Sequence, residues 1–84
     1  MTVYKIGKNY EDCTDCPTLD AVKEKAKELA DGFTVWYRQP GKWWYMLLVR
    51  ADNQSFWFVQ PEQSVSCKRN ETLDQALEKL YDKS

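Results

Sequence analysis

The chain contains no histidine. That removes the side chain that most often serves as a general base near neutral pH, and with it the commonest metal ligand. Glycine and proline number three each among 84 residues, too few for a collagen-like or low-complexity chain. No apolar run approaches the roughly 18 residues of a membrane span. The opening Met1-Thr2-Val3-Tyr4-Lys5 lacks the apolar centre of a secretory signal, so a cytoplasmic location is expected and no membrane is expected as partner. Neither sign of charge is in surplus: 12 Lys and Arg against 13 Asp and Glu leave −1. A general DNA or RNA binder normally shows a basic excess, so nucleic acid is not the expected partner. The three cysteines are expected to be reduced in the cytosol.

What the chain does have is aromatic mass: four Trp, five Tyr and three Phe. A domain this small buries only about 60–65% of its unfolded surface. Rings that each bury roughly 150–250 Å² help to offset that handicap. The length is that of a single domain, residues 1–84.

Periodicity divides the chain into elements. Val3 to Ile6 reads as a strand closed by Gly7, and residues 8–17 as a polar, acidic loop. Thr18 suits a helix N-cap, with Asp20 in the first turn. Leu19, Val22, Ala26, Leu29 and Ala30 then recur at helical spacing. Asp31-Gly32 is the expected stop, Gly32 as a left-handed cap. Three strands follow, at 33–38, 43–50 and 55–60, joined by turns at Pro40-Gly41 and Asp52-Asn53. Pro61 ends this meander, and 61–71 reads as loop with a short strand at Val65-Ser66-Cys67. Thr72 caps a second helix carrying Leu73, Ala76, Leu77, Leu80 and Tyr81 on one face. The order β-α-β-β-β-α predicts an α+β fold, an antiparallel meander sheet packed against two helices.

Simple alternation from the two turns places Tyr37 opposite Trp44, Trp36 opposite Tyr45, and Leu48 opposite Trp57. One face then holds Phe33, Val35, Tyr37, Trp44, Met46, Leu48, Trp57 and Val59, the expected core. The other holds Trp36, Trp43, Tyr45, Leu47, Val49, Phe56 and Phe58, with Arg38. Two arrangements compete for this second face. Either a helix or residues 1–17 cover it, or it stays open as a patch larger than monomers usually expose. In the open case Trp36, Trp43, Tyr45 and Phe58 are the anchors of a binding surface, since Trp, Tyr and Arg dominate interfaces. The same rings could stack single-stranded bases.

Cys13-Thr14-Asp15-Cys16 is a lone C-x-x-C with Cys67 as a distant third thiol. A structural zinc site wants four ligands, usually two such pairs or His partners. The order of elements does not match a thioredoxin motif, although Cys16 precedes a helix through Pro17, which would lower its pKa. The plain account is two small side chains in a loop, with no metal and no cofactor. Glu11, Asp12 and Asp15 cluster beside them. They are either solvated loop acids or an anionic finger suited to a cationic pocket. Ser and Cys nucleophiles have no base to activate them, so no enzyme activity is expected.

The stretch Tyr4-Lys5-Ile6-Gly7-Lys8-Asn9, with Tyr10, acidic residues and Cys13-x-x-Cys16, resembles the N-terminus of small phage-encoded anti-CRISPR proteins. These are the type II-C inhibitors of the Cas9 HNH nuclease domain. The resemblance covers about the first 16 residues and stops at Pro17. It implies an inhibitor that acts by occlusion in a bacterial host cell, with a CRISPR effector as partner. It also implies that Tyr10, Glu11, Asp12, Cys13 and Asp15 make contact. Two other classes stay open beside it: a single-stranded nucleic-acid-binding sheet, and a module that pairs with a second copy of itself.

Overall fold

The computed structural model describes residues 2–29, 32–51, 54–58, 65–69 and 72–83, and for 58, 65–69 and 80–83 the backbone. Six strands form one antiparallel sheet: β1 (Val3–Gly7), β2 (Cys13–Cys16), β3 (Gly32–Arg38), β4 (Tyr45–Ala51), β5 (Gln54–Phe58) and β6 (Val65–Arg69). Their order across the sheet is β2-β1-β3-β4-β5-β6. The helices are α1 (Leu19–Leu29) and α2 (Leu73–Lys83). The α+β class, the antiparallel sheet and both helices match the expectation. The order differs by two strands, since β2 lies inside the expected loop 8–17 and β6 extends the expected short strand to Arg69.

The helices begin where their caps dictate. Thr18 Oγ1 accepts the Ala21 N–H at 3.2 Å. At α2 the cap is reciprocal: Thr72 Oγ1 accepts the Gln75 N–H at 3.2 Å, and Gln75 Oε1 accepts the Thr72 N–H at 3.0 Å. This is a closed capping box, which Ala21 cannot complete at α1. Gly32 does not cap α1. It is the first residue of β3, paired with Ala51, and only Gly41 among the described glycines has a positive φ, 76°. That angle belongs to the Pro40-Gly41 turn, which closes with Lys42 N–H donating to Gln39 C=O at 3.0 Å. The expected turn at Asp52-Asn53 and the stop at Pro61 lie outside the described residues.

Both helices pack on the same face of the sheet. Val22 and Ala26 of α1 and Ala76 and Leu77 of α2 share one buried cluster with Tyr4, Ile6, Cys16, Phe33, Val35, Leu48 and Trp57. The register explains who belongs. Ile6, Val35, Leu48 and Trp57 are successive cross-strand partners and form a row across four strands. Leu48 opposite Trp57 is as expected.

The expected β3–β4 register is not. Val35 pairs with Leu48 but Trp36 pairs with Met46 and Tyr37 with Tyr45, leaving Leu47 without a partner. This is a β-bulge in β4, one extra residue that breaks the strict in-out alternation. The bulge moves Trp44 and Met46 off the expected core face and brings Tyr45 onto the helix side, against Tyr37, with ring centroids 6.1 Å apart. Leu47 itself is buried with the core. A charged side chain is buried on the helix side of the sheet. Arg50, 2% exposed, donates from Nη1 to the fully buried Ser55 Oγ at 2.6 Å, its cross-strand partner in the row beginning at Phe33.

Candidate partner-binding surface

The sheet face away from the helices carries a set of residues that alternation from β1 brings together: Lys5, Trp36, Met46 and, beyond the strand end, Trp44. Lys5 pairs with Trp36 and Trp36 with Met46. Lys5 is 7% exposed, and its Nζ lies 4.6 Å from the Trp44 ring centroid and 5.5 Å from that of Trp36. A third ring closes over it. Tyr10, from the β1–β2 loop, sits 3.3 Å from Lys5 Nζ and meets Trp36 edge to face at 5.8 Å. The Arg38 guanidinium carbon also lies over Trp44, 5.1 Å from its ring centroid. A buried cation faced by several aromatic quadrupoles keeps part of the stabilisation it loses with its water.

The β1–β2 loop is held by its own backbone. Asn9 Oδ1 accepts the N–H of Glu11 at 3.0 Å and of Asp12 at 2.8 Å. Asn9 C=O accepts from Asp12 N–H at 3.2 Å and from the Cys13 thiol at 2.7 Å. The Asp12 carbonyl comes down onto Gly7, where any Cβ would overlap it. Glycine is therefore required at that position by close approach. The result is a preformed tip with Glu11 and Asp12 exposed, and Asp15 exposed on β2 opposite Lys5.

The cysteines do not act together. Cys13 and Cys16 lie three apart on a strand and so point to opposite faces. Cys16 is buried in the core and Cys13 half-buried on the other side. Burial pushes the Cys16 thiol above its ordinary pKa, Asp15 pushes the same way, and Lys25 opposes them weakly. The expected lowering by the α1 N-terminus is overturned by this desolvation. Cys13 is also raised, first by burial, with Lys5 pulling down and Asp12 and Asp15 pushing up. Both thiols are the protonated, unreactive kind near neutral pH. Among the described residues no three His, Cys, Asp or Glu side chains gather as a metal site. The Cys67 side chain lies outside them.

The four expected anchors do not share a face. Trp36 is on the open face but 8% exposed, covered by Tyr10; Trp43 is 81% exposed in the β3–β4 loop. Tyr45 is half-buried on the helix side because of the bulge. Phe58 is placed in β5 by its backbone pairing with Val65. So residues from the 1–17 segment cover part of the second face, and α1 and α2 lie on the other one. Lys5, Trp44 and Met46 were missed. Lys5 was signalled by strand alternation opposite an aromatic strand; the other two depend on a bulge that leaves no mark in the sequence.

This arrangement defines a class: a small α+β domain with one helix-covered sheet face, one aromatic open face, and an acidic hairpin tip at its margin. No helix among the described residues is long and apolar enough to cross a membrane. No family model matches the chain, and neither a curated protein nor a solved structure is significantly similar to it.

Proposed function

We propose that the chain is a binding protein that inhibits a CRISPR effector by occlusion, as the resemblance of its first 16 residues to type II-C anti-CRISPR proteins implies. The observation that carries this reading is the acidic tip. Glu11 and Asp12 are exposed on a loop whose backbone is already fixed by Asn9 and Gly7, with Asp15 exposed nearby on β2. A rigid loop loses little conformational freedom on docking. Carboxylates held outward in this way suit a Lys- or Arg-lined pocket that normally takes phosphates, where charge-assisted hydrogen bonds are the strong kind. Tyr10 and Cys13, with their side chains turned toward the chain's own surface, shape the tip; Glu11 and Asp12 are the contact groups, and Asp15 lies further along β2, opposite Lys5. The proposed location is the cytoplasm of a bacterial host.

The test is DNA cleavage by purified Cas9 of type II-C, with effectors of other types as a panel, in the presence of this protein. Wild type inhibits and co-elutes with its target. The Glu11→Ala/Asp12→Ala double variant loses at least tenfold in inhibitory potency and melts within about 2 °C of wild type, because exposed loop charges contribute little to folding. A double variant that inhibits fully refutes the acidic tip as the contact. A wild type that neither binds nor inhibits any effector of the panel refutes the class.

A further inference from the structure

A cleft of about 260 Å³ opens where β2, β1 and β3 end, lined by Val3, Tyr4, Cys16, Pro17 and Trp44 with Asp15 and Arg38 as its charged groups. It is smaller than the roughly 300–1,000 Å³ of pockets for drug-sized ligands, and suits one large side chain. Its chemistry is specific: apolar walls, one carboxylate that can accept an N–H, and one guanidinium that can lie over a ring. An indole uses all three, as an apolar body, an N–H donor and the best cation–π acceptor. The chain carries a side chain that matches. Trp43 is 81% exposed, the most exposed large hydrophobic among the described residues, and it directly precedes the cleft residue Trp44.

We propose that two copies of this chain pair by exchanging Trp43, each indole seated in the cleft of the other copy. Because Trp43 and the cleft wall are consecutive residues, a two-fold axis beside the β3–β4 turn brings each Trp43 to the partner cleft. An isologous contact needs such a self-complementary patch. The charges agree. Neither Asp15 nor Arg38 has an ion-pair partner within the chain among the described residues. The two-fold sets Asp15 of one copy toward Arg38 of the other. The remaining exposed apolar groups lie on the same face: Met46, 42% exposed, and Tyr10, 55% exposed. Two seated indoles bury roughly 150–250 Å² each. Together that is roughly 300–500 Å² before Met46, Tyr10 and the Pro40-Gly41 turn are counted, which places the pair among the weak, concentration-dependent contacts below about 1,200 Å² in total.

The experiment is sedimentation equilibrium of the purified full chain from about 2 to 200 µM, with no target present. Wild type sediments as a dimer at the upper end and dissociates on dilution. Trp43→Ala raises the dissociation constant at least tenfold. Its circular dichroism is unchanged, since a side chain this exposed contributes little to folding. Asp15→Arg and Arg38→Asp each weaken the dimer, and the two together in one chain restore it at least partly, an outcome that a merely structural role for either residue would not give. A wild type that is monomeric throughout, a Trp43→Ala variant that dimerises as wild type does, or a double charge swap weaker than both single ones overturns the proposal. The measurement needs no nuclease, so its failure leaves the acidic-tip function standing, and loss of inhibition leaves the dimer standing.

Discussion

Ser55→Ala should destabilise this protein far more than the removal of one exposed hydroxyl. Ser55 is fully buried and accepts from Arg50 Nη1 at 2.6 Å, with Arg50 itself 2% exposed. A hydrogen bond to a charged group is worth about 1.5–3 kcal/mol, and the cost rises when a buried donor is left without its acceptor. Arg50 keeps further interactions, so the lower half of that range is expected, about 2 kcal/mol. For a domain of this size that lowers the melting temperature by about 8–16 °C. The assay is urea and thermal unfolding followed by circular dichroism, with Arg50→Met and the double variant completing a cycle. Replacing a buried polar pair by apolar groups of similar shape costs less than breaking it. The double variant should therefore be more stable than the sum of the single losses by at least 1 kcal/mol. A Ser55→Ala loss under about 0.5 kcal/mol, or strict additivity in the cycle, would refute the claim that this pair is an energetic unit.

Three other outcomes follow from the described contacts. Thr72→Ala should cost about 1 kcal/mol and Thr18→Ala less than that, since only Thr72 anchors a reciprocal box; equal or reversed losses in urea melts would count against the box. Gly7→Ala forces the Asp12 carbonyl away, and overpacking of this kind costs about 1–3 kcal/mol; amide exchange should show the damage centred on residues 8–13, and a wild-type melting curve would disprove the close approach. Because burial raises the Cys13 and Cys16 thiols, the folded state holds their protons more tightly than the unfolded chain does. Their contribution to stability is complete below about pH 8.5, the ordinary thiol value, and is lost as pH rises through the folded values. Alkylation of the native protein should reach its half-maximal rate above that pH, and half-maximal labelling near 7 would contradict the burial.

Some of this was written in the chain and some was not. The two Thr-Leu-Asp starts announced both helices, and the caps at Thr18 and Thr72 form as those residues dictate. The Leu48–Trp57 register was also legible, because the two-residue hairpin signature Asp52-Asn53 sets which residues of the flanking strands face one another. Strand β2 was hidden. Cys-Thr-Asp-Cys has no apolar alternation and becomes a strand through pairing with Val3–Gly7, a tertiary contact. The bulge was hidden for a related reason: Leu47-Leu48-Val49 is apolar throughout, so nothing marks the point where alternation breaks. The misplaced faces of Trp44, Tyr45, Met46 and Leu47 descend from that single residue. The acidic residues of the tip were visible as a cluster. Their fixed presentation was not, since it depends on Asn9 and on the space left by Gly7. The burial of Lys5 and Arg50 runs against their hydrophilicity and is explained by partners that sequence alone does not place.

The bulge at Leu47 gives β4 something like a reading frame. Upstream of it Trp44, Tyr45 and Met46 are set in one phase of the pleat, and downstream Leu48 to Ala51 in the other. A substitution in this segment changes one side chain, whereas a one-residue deletion would rephase a whole stretch of surface. Tyr45 would turn out from Tyr37, and Trp44 and Met46 would turn in toward the helices, taking away the Trp44 wall of the cleft and one of the three rings around Lys5. Chain length between Gly41 and Leu48 is thus as much a determinant of what this protein shows to a partner as the identity of any residue there. Related chains with gaps or insertions in this interval would present different surfaces on the same scaffold.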